Sequence, residues 1–303
     1  HMNILEDYKQ TRQKLFDAAG IQPQSKIVST NGAIKNVHYL EAGSGKPLII
    51  IHGGGGHASH WINIMKPLAE HFHLYVPDRP GCGLSDTINY HGLDYMKSAA
   101  EFVRSFMDAV GLKQALVMGN SMGGYFSICF ALQYPERVEK LLLIGAPAGM
   151  NLYIPFMLRL LGIKRLNSFM MNMKKPSIKN TVNIYKMINV ADASKLSVDY
   201  LQHDVHSQLI PGTRKSFLSL LESVLTLGGF KKDLYIGDKL IQLKMPVRFL
   251  WGDKDVFETP ESGLKKASII SDYKFEVVEN AGHMPWLDQQ GKCSELIIKL
   301  LQE

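Results

Sequence analysis

The 303-residue sequence predicts an α/β protein: a mostly parallel sheet flanked by helices, interrupted by one helical insertion. Three observations lead there. First, short apolar runs of strand length recur at residues 47–51, 74–76, 116–118, 141–144 and 245–251. Second, helix-like stretches at residues 95–110 and 125–134 separate several of them, the alternation that implies parallel strands joined by crossovers. Third, this alternation stops between residues 149 and 243, a methionine-rich stretch of helical character punctuated by Pro155, Pro176 and Pro211.

Taken in order, residues 3–19 read as an amphipathic helix with Ile4, Leu5, Tyr8, Leu15 and Phe16 as its apolar residues; the sequence does not say what it packs on. Residues 26–29 and 34–40 form an opening hairpin around Asn31-Gly32, a dipeptide suited to a tight turn. Residues 47–51 are continuously apolar, as a strand covered on both faces should be. The run at 273–278 gives a further strand, and residues 295–301 close the chain as helix. The expected organisation is an N-terminal helix over 1–20, a core formed by 21–148 and 244–303, and an inserted helical unit over 149–243.

The chemistry is concentrated where strands end. Gly119-Asn120-Ser121-Met122-Gly123 lies directly between a strand and a helix, the setting of a nucleophile elbow. The flanking glycines are required because a side chain at either position would strike the neighbouring strand or helix. A serine hydroxyl is a poor nucleophile at neutral pH and needs a histidine to take its proton and a carboxylate to orient that histidine. His283 follows the strand at 273–278, and both Asp253 and Asp255 follow the strand at 245–251. Each therefore lies past the C-terminal end of a strand, where open α/β sheets place ligands. The strand at 47–51 runs into His52-Gly53-Gly54-Gly55-Gly56, whose unobstructed backbone N–H groups suit a developing oxyanion. The expected donors are the N–H of Met122 and that of Gly54, with Gly55 the alternative to Gly54. His52 reads as a structural hydrogen-bonding residue.

These motifs, in this order, resemble the α/β-hydrolase-fold serine hydrolases from about residue 34 to the C-terminus, apart from the insertion. Trp61 and the turn Asp78-Arg79-Pro80-Gly81-Cys82-Gly83-Leu84-Ser85-Asp86 extend the likeness; the turn is structural in that family, so Asp78 and Ser85 receive no chemistry. The resemblance implies that residues 149–243 are a cap over the site. It also selects Asp255 as the acid, through similarity to the family's G-x-x-D turn, and leaves Asp253 a turn or surface role. Two stretches further resemble the carbon–carbon bond hydrolases of meta-cleavage products: His52-Gly53-Gly54-Gly55 with Ala58 and Trp61, and Gly119-Asn120-Ser121-Met122-Gly123-Gly124. That likeness makes Gly55, Asn120 and Met284 candidate substrate contacts. It is incomplete, because Met284 stands where that group has tryptophan, and His203 or a neighbour where it has a cap arginine. The expected activity is hydrolysis of a small to medium carboxylic ester through an acyl-enzyme. Carbon–carbon bond cleavage and lactone hydrolysis are alternatives, and a ligand-binding receptor is the non-enzymatic one.

Composition fits a small-molecule enzyme that needs no cofactor and no metal. No nucleotide-binding fingerprint, metal cluster or nucleic-acid motif is present. No apolar stretch reaches the length of a membrane span, and the acids Glu6 and Asp7 argue against a signal peptide at the start of the sequence. Three widely spaced cysteines suggest a reducing, cytoplasmic setting. The net charge is +6, and its excess lies in residues 149–243, with thirteen lysines and arginines against six acids. The methionines there suit either an apolar pocket lining or the packing of the cap's own core.

Overall fold

A computed structural model describes residues 3–303; the first two positions of the segment assigned to the leading helix lie outside it. The chain begins with α1 (Ile4–Ala19), capped by Asn3 and stopped by Gly20 in the left-handed conformation. Strands β1 (Gln24–Ser29) and β2 (Asn36–Ala42) pair antiparallel. The alternating core follows: β3 (Lys46–Ile51), α2 (Ile62–Ala69), β4 (Phe72–Pro77), α3 (Tyr95–Ala109), β5 (Ala115–Asn120), α4 (Met122–Gln133) and β6 (Val138–Ile144). The insertion contributes α5 (Phe156–Arg159), α6 (Leu166–Met173), α7 (Ile178–Ile184), α8 (Val198–Leu209) and α9 (Thr213–Val224), then a small hairpin, β7 (Leu225–Thr226) and β8 (Gly229–Phe230). The core resumes with β9 (Val247–Gly252), α10 (Pro260–Ala267), β10 (Tyr273–Val278), α11 (Pro285–Asp288) and α12 (Gln290–Gln302).

The eight-stranded sheet has the order β1-β2-β4-β3-β5-β6-β9-β10. Only the pairings of β2 are antiparallel; the rest of the sheet is parallel. Central strands β3, β5 and β6 are apolar on both faces because both faces are covered. Ile49, Ile51, Val117 and Leu143 enter one cluster with α3 and α4, while Leu48, Ile50, Met118 and Leu142 enter the other with α2 and α12.

Three expectations change. The Asn31-Gly32 dipeptide does not form the hairpin turn, since pairing ends at Ser29 and Asn36. A six-residue loop intervenes, closed by Thr30, whose N–H donates to the Lys35 carbonyl at 2.7 Å and whose hydroxyl donates to that of Ile34 at 2.6 Å. Leu5 is exposed, and α1 buries Thr11 and Arg12 beside Tyr8, Leu15 and Phe16; its main partner is α8, so the leading helix clasps the insertion. The insertion's methionines divide: Met150 is buried, Met170 and Met171 are half-buried, and Met157, Met173 and Met187 are exposed.

Candidate active site

Ser121 joins β5 to α4 with φ 54° and ψ −115°, a strained conformation for a residue with a side chain. Its surroundings leave no alternative to glycine on either side. A Cβ at Gly119 would lie 2.4 Å from the Gly123 carbonyl oxygen, and one at Gly123 would lie 2.1 Å from that of Ile51. The Ser121 carbonyl accepts from the N–H groups of Tyr125 and Ala148, both at 3.0 Å, which pins the turn.

His283 and Asp255 come together from the loops after β10 and β9. His283 Nδ1 lies 2.8 Å from Asp255 Oδ2. The Asp255 carboxylate also accepts from the N–H of Ala146 at 2.8 Å and from that of Phe257 at 2.9 Å, so both its oxygens are fixed. Because the carboxylate accepts, Nδ1 is the donor of this pair and Nε2 is the ring nitrogen left for other partners. Nε2 is buried and has no hydrogen-bond partner among the described residues. Asp253 is exposed and accepts from the N–H of Ala281 at 3.0 Å, a turn contact.

Asn120 is where the elbow meets the histidine loop. Its amide nitrogen donates to the carbonyls of Ile144 at 2.8 Å and His283 at 3.0 Å. Both amide hydrogens are thus committed to backbone, which makes Asn120 a tie between strand and loop and leaves no donor for a substrate. Met284 is also drawn inward: it is buried in the apolar cluster under the sheet, and its N–H donates to the Asn189 carbonyl at 2.7 Å. Gly55 differs, being exposed at φ 66°, with Phe217 of α9 lying across the loop; a Cβ there would touch the ring at 3.5 Å.

The glycine loop is held from behind by a residue that sequence reasoning passed over. Arg79 is completely buried and follows Asp78, which itself accepts from the N–H groups of Ala58 and Leu84 and pairs with His38 Nδ1 at 2.7 Å. Arg79 Nε donates to the His52 carbonyl at 2.9 Å, and Nη2 donates to the Gly53 carbonyl at 2.8 Å. Its backbone N–H donates to His52 Nε2 at 2.9 Å, so Nε2 is an acceptor and the proton sits on Nδ1. Nδ1–H then donates to the Gly53 carbonyl at 2.8 Å. Burial, with the Arg79 charge second, pushes the His52 pKa well down and keeps the ring neutral. Because a peptide is planar and trans, a Gly53 carbonyl gripped on one side aims the Gly54 N–H to the other.

A second buried polar network joins the core to the insertion. Asp204 of α8 accepts from His57 Nε2 at 2.7 Å and His60 Nε2 at 2.8 Å on one oxygen, and from the Tyr185 hydroxyl at 2.6 Å on the other. His203 is buried in the same cluster, with Nδ1 3.0 Å from the Thr11 hydroxyl of α1. Among the described residues His57, His60 and Asp204 are the one group with metal-ligand convergence. Their contacts are shorter than the ~3.3 Å between ligands around a tetrahedral zinc, so they form a hydrogen-bonded clasp. Two surface clefts of about 400 and 390 Å³ lie beside the cap hairpin and beside β2, and neither is lined by Ser121, Asp255 or His283.

Comparison with known proteins agrees with this architecture. Residues 46–170 match the family model described as alpha/beta hydrolase fold. A 2-hydroxy-6-oxononadienedioate/2-hydroxy-6-oxononatrienedioate hydrolase of Paraburkholderia phymatum is 29% identical over 285 residues, covering 91% of this chain and 95% of the relative. The hydrolase of the same name from Escherichia coli is 28% identical, covering 92% and 98%. Among solved structures, carboxylesterase CesB of Bacillus subtilis superposes with a TM-score of 0.80 at 20% identity, over 99% of both chains. The 2-hydroxy-6-oxo-6-phenylhexa-2,4-dienoate hydrolase of a Rhodococcus species gives 0.77 at 20% identity, over 93% of this chain and all of that one. No helix among the described residues is long and apolar enough to cross a membrane. Sheet order, the strained serine between β5 and α4, and these likenesses give the chain the α/β-hydrolase fold.

Proposed function

We propose that the protein is a serine hydrolase that cleaves a small to medium carboxylic ester through an acyl-enzyme. Ser121 attacks the carbonyl while His283 Nε2 takes its proton, and Asp255 holds the imidazole in the required tautomer and stabilises the imidazolium. The N–H groups of Met122 and Gly54 receive the oxyanion. Met122 offers one of the first-turn N–H groups of α4, which have no partner within a helix. His283 then protonates the leaving alcohol and activates the water that releases the acid. The observation that carries this reading is the Asp255–His283 pair, buried and oriented, with a free Nε2 on a loop tied to the elbow through Asn120.

The carbon–carbon bond reading has the names of the relatives in its favour. Against it stands the stretch around His203, where the sequence resemblance puts His203 or a neighbour in place of the family's cap arginine. His203 is wholly buried, bound to Thr11, and held neutral by burial and by the neighbouring His57, so it offers no cation to a dienoate carboxylate. A fluorophosphonate probe tests the serine mechanism: labelling should be stoichiometric and vanish in Ser121→Ala. A panel of p-nitrophenyl esters set against a dienoate ring-cleavage product tests the substrate class, and faster turnover of the dienoate would reverse the assignment. The three cysteines, two of them buried in the core, fit the cytoplasmic location we propose.

A further inference from the structure

Residues 149–191 contain seven lysines and arginines and no aspartate or glutamate. None of the seven forms an ion pair among the described residues, and six of them are exposed: Lys164, Arg165, Lys174, Lys175, Lys179 and Lys186. Part of the same stretch also turns large apolar side chains outward. Helix α6 buries Asn167 completely, its amide bound to the Leu161 carbonyl and Glu222, and turns Phe169 and Met173 outward at 61% and 71% exposure. These two residues are one helical turn apart and share that outer face. Helix α7 packs Ile178 and Val182 inward but leaves Ile184 exposed, and Phe156 of α5 is 61% exposed. A water-facing helix would turn polar side chains outward where α6 turns Phe169 and Met173, and large apolar groups exposed together mark an interaction surface.

We propose that this face of the cap, residues 153–187, docks the protein on an anionic lipid surface. Phenylalanine, methionine and isoleucine side chains would enter the boundary between headgroups and acyl chains, and the lysines and arginines around them would meet the lipid phosphates. Charge selects this occupant over a second copy of the chain. A two-fold contact sets each surface patch against itself, which would bring seven uncompensated cations against the same seven. A nucleic acid would satisfy the charges but give the exposed Met173 and Ile184 side chains nothing to enter.

The inference is independent of the ester reading, and its test needs no turnover. The Ser121→Ala protein is sedimented with vesicles of three parts phosphatidylcholine to one of phosphatidylglycerol, and with vesicles of phosphatidylcholine alone. Binding is expected to be at least ten times tighter to the anionic vesicles and to fall at least tenfold in half-molar salt. Lys174→Glu with Lys175→Glu should weaken it tenfold or more, as should Phe169→Ser with Met173→Ser. All four positions are exposed, so unchanged melting temperatures should accompany the loss. The proposal is overturned by absent binding, by equal binding to both vesicles, or by variants that bind like the parent. It is equally overturned by tighter binding to a single-stranded oligonucleotide, or by light scattering that shows a dimer which the Phe169–Met173 variant dissociates.

Discussion

Arg79 is the residue on which the oxyanion geometry is predicted to depend, although it touches no substrate. Arg79→Met keeps a stem of similar length against Phe126, over whose ring the guanidinium carbon lies at 5.0 Å, but removes the donors to the His52 and Gly53 carbonyls. The Gly53 carbonyl retains His52 Nδ1–H and the Gly56 N–H at 3.2 Å, so the peptide is loosened and not freed. Complete loss of one oxyanion donor costs about 10²–10³ in kcat, roughly 2.7–4 kcal/mol. Partial misalignment should then cost about 10–100-fold in kcat, with KM within about threefold because the donor acts mainly on the transition state. Two lost hydrogen bonds from a charged group would cost roughly 1.5–3 kcal/mol each. The variant also removes a buried charge whose Nη1 has no partner, which offsets part of that loss. Arg79→Lys reaches one carbonyl at most and should fall between the two. Steady-state kinetics on p-nitrophenyl butyrate, alongside thermal melts, decides the matter. A kcat within twofold of the parent, at whatever melting temperature, refutes the positioning role.

Ser121→Ala and His283→Ala should each lower kcat by several orders of magnitude while the fold persists, and Asp255→Asn should be far worse than Asp253→Asn; the reverse ranking of the two aspartates would make Asp253 the acid. Acid should loosen the cap clasp. Burial lowers the pKa values of His57 and His203 below the ordinary 6.5, so the unfolded chain takes up protons that the folded one refuses, and stability is full above that pH and declines below it. Asp204, where His60 and His57 outweigh the opposing effect of burial, adds a loss that begins below pH 3.8. Melting temperatures measured from pH 8 down to 5 should therefore fall, and a flat profile would show that the clasp does not titrate. Met284→Ala should destabilise the fold by about 2–5 kcal/mol as a core truncation with little change in KM; a large rise in KM with an unchanged melt would return Met284 to the substrate.

The sequence by itself determined what depends on neighbouring residues. The run of residues 47–51 read as a doubly covered strand and is one, and Gly119 and Gly123 announced the tight turn at Ser121 because a glycine requirement is written at the position that needs it. Strand ends likewise located Asp255 and His283, though choosing between Asp253 and Asp255 took either family likeness or geometry: one is buried against His283 and the other exposed. Tertiary structure decided everything that rests on contacts between distant segments. Nothing in the sequence links His57 and His60 to Asp204, and only the fold brings that residue, some 145 positions away, between them. Arg79 sat inside a turn with no apparent chemistry until its guanidinium was seen to grip the glycine loop. The cap misled for the same reason. Periodicity shows that a helix has an apolar side but not which way that side faces, and in α6 Phe169 and Met173 face out while Asn167 finds its partners, Leu161 and Glu222, inside.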